Sequence, residues 1–122
     1  MDGPEEHALV VKALTCGLSN CVLWKDDRTS QRIRRDPALR NLTPDGIKRA
    51  TIAFVKGGGQ VKQVVENRPE YKGQFDFYYK VILPVENFPD DFPNGLFIEM
   101  VLIDEDPDCP CVALVNAHPQ QR

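Results

Sequence analysis

Along this chain the spacing of apolar and polar positions changes period once, near the middle. Between residues 43 and 56, Ile47, Ala50, Thr51, Phe54 and Val55 fall at helical spacing. Thr43 is placed to cap that helix, Pro44 takes the first helical position and Asp45 sits at the positive end of the dipole. Gly57-Gly58-Gly59 ends it. After the glycines the period becomes two. Residues 60–66 read as a strand and 67–73 as a loop. Residues 75–83 are a second strand, with Phe77, Tyr79, Val81 and Leu83 on one face and Asp76, Tyr78, Lys80 and Ile82 on the other. A loop with Pro84, Pro89 and Pro93 follows. The third and fourth strands span residues 95–104 and 111–118, joined by an acidic turn at 105–108.

The part before residue 43 is less regular. Residues 29–35 read as a short helix with Ser30 as N-cap, ended at Asp36-Pro37. The apolar stretch within residues 5–24 fits a helix or a strand, and the pattern does not choose. The whole reads as a single α+β domain: N-terminal helices packed on a four-stranded antiparallel sheet, with residues 28–120 as its core and residues 1–27 unassigned. Phe54, Phe77, Val81, Val101 and Leu114 are expected in or near the core.

Composition agrees with that picture. The 122 residues are 42% hydrophobic and 27% charged, as in a globular domain that needs neither disulfide nor metal to hold its core. No apolar run approaches the ~20 residues that cross a bilayer, and the acidic start, Asp2 to Glu6, does not resemble a secretory signal. A cytoplasmic protein with no membrane contact is expected. The net charge is −3, unevenly spread: residues 1–60 carry ten Lys and Arg against seven Asp and Glu, and residues 61–122 carry five against eleven. The basic charge peaks from Arg28 to Arg49, a patch able to meet phosphate or simply solvent.

Three motifs are set aside. The glycine triplet follows a helix rather than preceding one, so it is no phosphate loop. Asp104, Glu105, Asp106 and Asp108 lack the glycine and distal glutamate of a calcium loop. The four cysteines, Cys16, Cys21, Cys109 and Cys111, are spaced Cys-x4-Cys and Cys-x-Cys, unlike the common zinc pattern, and Cys16 and Cys111 lie in apolar stretches that suit small buried side chains. No metal or cofactor is expected.

Candidate chemistry gathers in the last quarter. His118 sits just past an apolar run and is stopped by Pro119, which places an imidazole that titrates near neutral pH at a sheet edge. Glu99 is a lone carboxylate in an apolar strand, so it must be paired, at an edge, or functional. Tyr78 and Lys80 share one strand face.

Helices followed by a four-stranded antiparallel sheet, with Thr43-Pro44-Asp45-Gly46-Ile47-Lys48-Arg49 entering the helix, Tyr78-Tyr79-Lys80 in the second strand and Val115-Asn116-Ala117-His118-Pro119 at the end, resemble the barnase/EndoU/colicin/RelE-like superfamily of small ribonucleases. The likeness is one of architecture and covers roughly residues 28–120. It implies a metal-independent endoribonuclease, with RNA as substrate and a cognate antitoxin or immunity protein as partner. It places His118 as the acid or base, Glu99 or Tyr78 as the second proton-handling or orienting group, and Lys80 as a cation for the phosphorane charge. Arg35, Lys48 and Arg49 would draw in RNA. The acidic second half supports an alternative: a non-catalytic interaction module, such as an antitoxin, immunity or regulatory protein, using the sheet face or loop 84–94.

Overall fold

The computed structural model describes residues 2–16, 21–39, 42–71, 73–85 and 92–120. Residues 86–91 of the proline-containing loop and Arg40 of the basic run lie outside them. Helix α1 is Gly3–Thr15, strand β1 Val22–Trp24, helix α2 Asp27–Arg35 and helix α3 Pro44–Lys56. The strands β2 Lys62–Val65, β3 Phe77–Leu83, β4 Leu96–Asp104 and β5 Cys111–Pro119 follow. The fold is α+β, with strand order β1-β5-β4-β3-β2.

Strands β2 to β5 form the expected antiparallel meander. The sheet nevertheless has five strands and is mixed, not four-stranded and antiparallel. β1 joins its edge parallel to β5, pairing Val22, Leu23 and Trp24 with Val112, Ala113 and Leu114. Three residues are too few to display a period, and their partner lies about ninety residues away. The Trp24 indole N–H donates to the Pro44 carbonyl at 2.9 Å, tying β1 to the start of α3.

The undecided N-terminal stretch resolves into helix followed by strand. Asp2 caps α1 by accepting from the Glu5 amide at 2.9 Å, and Val10, Ala13 and Leu14 form its buried stripe. In α2 the cap is Asp26, which accepts from the Thr29 amide and hydroxyl, so that helix begins earlier than Ser30. In α3 the Thr43 hydroxyl accepts from the Gly46 amide at 3.0 Å, as the sequence implied. Cys16 is exposed at the end of α1, not buried. Its apolar neighbours belong to a helical stripe that it does not share.

One face of the sheet carries the core. Tyr79, Val81, Leu96, Ile98, Met100, Val112, Leu114 and Ala117 pack with Val10 and Leu14 of α1 and Ile47 and Val55 of α3. Phe54 and Phe77 are half-buried against this cluster. Val101 is buried too, but strand alternation puts it on the other face. At the turn into β4, Gly95 has φ +85°, and a Cβ there would lie 2.8 Å from the Leu83 carbonyl oxygen, so only glycine fits. Among the described residues no helix is long and apolar enough to cross a membrane.

The N-terminal residues are anchored rather than frayed. His7 donates from Nε2 to the Val61 carbonyl at 2.7 Å and packs near Tyr79. The Gln63 side-chain amide donates to the Gly3 carbonyl at 2.6 Å and to the Tyr79 hydroxyl at 2.9 Å. Tyr79 in turn hydrogen-bonds Glu6, whose carboxyl is raised above its usual range chiefly by burial. A raised folded value means the ionised form is disfavoured at neutral pH, and stability is gained as pH falls through it. Glu6→Gln keeps an acceptor for Tyr79 and removes the charge. It is expected to stabilise the fold at pH 7 by roughly 0.5 kcal/mol, an advantage that shrinks in urea unfolding as pH falls through the raised value of Glu6 and is gone by about pH 4.

Candidate functional site on the open sheet face

The sheet face turned away from α1 and α3 is organised by register. Lys62, Lys80, Glu99 and Asn116 stand in one row across β2, β3, β4 and β5. Ile82, Phe97 and His118 make the next row. A bulge opposite Glu99 and Met100 lets β5 present both Asn116 and His118 on this face while Leu114 stays in the core.

His118 is held in two ways. Its ring stacks on Phe97, with centroids 4.7 Å apart and planes 15° apart. Its Nδ1 lies 3.0 Å from the Pro119 carbonyl oxygen. A carbonyl can only accept, so in the neutral ring Nδ1 carries the proton and Nε2 keeps the lone pair.

At the centre of the face lies an arginine that the sequence reading did not single out. Arg68 donates to both carboxylate oxygens of Glu99, at 3.2 and 2.8 Å, and to both of Glu66, at 2.8 and 2.7 Å. Its guanidinium lies 4.4 Å from the Tyr78 ring centroid and 4.7 Å from that of Tyr71. The two carboxylates hold it firmly charged, and Arg68 in turn pulls the Glu66 carboxyl below its usual range. Its apolar strand left three alternatives open, paired, at an edge or functional; Glu99 is 5% exposed and paired with Arg68.

A second residue outside the expected set is Arg32. It reaches from α2 to the Asn116 side-chain oxygen at 2.7 Å. Arg32 therefore brings a cation to the His118 end of the face, next to Arg28 and Arg35, with which it lines a shallow basic groove. That placement follows from β1 pairing with β5, which seats α2 beside them; no local signal marks it.

The structure thus brings His118, Glu99, Lys80 and Tyr78 to one face, but not to one point. With strands ~5 Å apart and ~3.3 Å per residue, Lys80 and His118 are about 12 Å apart along the backbone. Lys80 is half-buried, and among the described residues it makes no hydrogen bond or ion pair. Arg35 sits on α2 near this face. Arg49 is exposed on α3 and paired with Asp45 at 2.9 Å. Lys48 influences the Cys111 thiol at the opposite end of β5 from His118. Neither Lys48 nor Arg49 shares the His118 site. No protein family, curated protein or solved structure matches this chain.

Proposed function

We propose that the open face binds single-stranded RNA and that His118 acts in its metal-independent cleavage. The observation that carries this is His118 itself, stacked on Phe97 and held through Nδ1, on the same sheet face as Lys62 and Lys80. Nε2 removes the 2′-hydroxyl proton, the 2′-oxygen attacks phosphorus, and the bond to the 5′-oxygen breaks as that oxygen takes a proton from water, leaving a 2′,3′-cyclic phosphate and a 5′-hydroxyl; the imidazolium then returns its proton to solvent. Arg32, held by Asn116 two residues before His118, supplies the cation for the developing phosphorane charge. Lys80 and Lys62 hold flanking phosphates, and Tyr78 offers a ring against which a base stacks. Glu99 acts as an orienting carboxylate for Arg68, because both of its oxygens are engaged.

A cross-strand Lys62–Lys80 pair on one face repels, and an anion between them relieves that cost. Lys80→Gln is therefore expected to leave the free fold as stable or slightly more so while weakening RNA binding severalfold and reducing its salt dependence. The direct test is incubation with single-stranded RNA without added divalent cation. Fragments ending in 2′,3′-cyclic phosphate support the proposal. Binding without cleavage leaves the non-catalytic module, and absence of binding at low salt removes RNA altogether. That second reading, a protein-docking face for an antitoxin-like or immunity-like partner, is favoured by Leu23 and Ile103, large apolar side chains 42% and 49% exposed.

A further inference from the structure

Cysteines from three separate stretches of chain cluster at one end of the sheet, and two of them meet. Cys21 immediately precedes β1, and Cys109 lies in the β4–β5 turn. Their sulfurs, 88 residues apart in sequence, stand 3.9 Å from each other. Cys21 is fully buried, Cys109 is partly exposed, and both are thiols. They flank a short junction of the fold. β1 pairs with β5 through three residues, Val22, Leu23 and Trp24.

We propose that Cys21 and Cys109 are the two halves of a disulfide that locks β1, and with it α2, against β5 under oxidising conditions. Disulfide sulfurs are ~2.05 Å apart, so closure brings this pair roughly 1.9 Å nearer, which rotations about the two Cα–Cβ bonds can supply. The oxidant is a small-molecule disulfide such as oxidised glutathione. Cys109, the accessible thiol, loses its proton and attacks one sulfur of the oxidant, expelling one thiolate and leaving a mixed disulfide. Cys21 then loses its proton and attacks the Cys109 sulfur, expelling the second thiolate. The two protein thiols lose two electrons and two protons, and the oxidant gains both as it becomes two thiols. Environment sets this order. Hydrogen bonding to Cys16, burial and Cys109 push the Cys21 thiol up to about 12, so Cys21 is a poor first nucleophile. It is a poor leaving group for the same reason. A reductant that attacks the Cys109 sulfur of the bridge must expel Cys21, and does so slowly. The pair is therefore a latch, slow to close and slow to open.

Its effect reaches the open face through α2. β1 seats α2, and α2 carries Arg32 to Asn116. The bridge itself lies beyond the Cys111 end of β5, seven residues or about 23 Å from His118. It acts by holding α2 in place and touches no RNA.

The test is incubation of the full chain with graded ratios of oxidised to reduced glutathione, then alkylation and peptide mapping without reductant. The expected product contains one cross-linked peptide joining Cys21 to Cys109. Because the bridge closes a loop of 88 residues, it should raise the melting temperature by about 10 °C and slow amide exchange at Val22–Trp24. A phosphine reductant should reverse both changes. Cys109→Ser should stay folded by circular dichroism, form no such bridge and show no oxidant-dependent shift. Cys16→Ser/Cys111→Ser should keep the bridge and the shift. A Cys16–Cys21 bridge, glutathione adducts that never resolve, or a Cys21–Cys109 bridge with no rise in melting temperature would overturn the proposal. These readouts do not involve RNA, so they stand or fall apart from the ribonuclease proposal.

Discussion

Arg68→Ala is expected to destabilise the fold by about 3 kcal/mol, the low end of the cost of breaking a buried ion pair. The substitution strands two carboxylates whose side chains are 1% and 6% exposed, those of Glu66 and Glu99. The low end applies because Arg68 itself provides much of the cover, and water reaches the open face once it is gone. It also removes the cation stacked on Tyr78 and Tyr71. Arg68→Lys should recover only part of the loss, since an ammonium cannot serve two carboxylates in a bidentate way. The pH dependence gives a second check. Arg68 depresses the folded value for Glu66 below its ordinary 4.5. That contribution is present above pH 4.5 and is lost as pH falls through the depressed value. Arg68→Ala should flatten this acid limb. Urea unfolding at pH 7 and pH 3 measures both effects; an unchanged midpoint at pH 7 would mean the pair contributes nothing net.

The second large effect is on catalysis. His118→Ala should lower RNA cleavage by about 10² to 10⁴-fold, the usual contribution of a positioned acid or base, with little change in RNA affinity or fold. Phe97→Leu should keep the imidazole but release its stacking plane, giving a smaller loss of rate at unchanged affinity. Single-turnover cleavage with matched binding measurements separates these outcomes. Equal cleavage by wild type and His118→Ala would strip His118 of its role.

How much of this was legible in sequence depended on how local each signal was. The cap, proline, first-turn aspartate and glycine stop of α3 act within a few residues, and that helix came out as read. The period-two alternation of β3 correctly separated Tyr79 and Val81 from Tyr78 and Lys80, whereas the nearly continuous apolar run of β4 hid the fact that Val101 shares the face of Glu99 and not that of Met100. The apolar run around Glu99 carried the expectation that this carboxylate is paired, at an edge or functional, but it did not choose among these or name a partner. Arg68 lies in an irregular segment, where no period marks which way a side chain turns. The fifth strand failed for the reason the cysteine cluster was missed. Val22–Trp24 is three residues long, and both depend on contacts closed across about ninety residues, which pattern and spacing do not encode. The same gap hid Arg32, whose place beside His118 exists only because β1 docks on β5.

The most direct test of the open-face account is side-chain NMR during titration with a short single-stranded RNA. Methyl signals of Ile82 and Val64 and the imidazole signals of His118 report the open face, whereas Ile47 and Val55 report the core under the helices and the Arg49 guanidinium reports the outer face of α3. The account predicts saturable shifts at Ile82, Val64 and His118, weakened by salt and by Lys80→Gln, with Ile47, Val55 and Arg49 unmoved. Shifts centred on Arg49 and the α3 residues, with His118 and Ile82 silent, would contradict it.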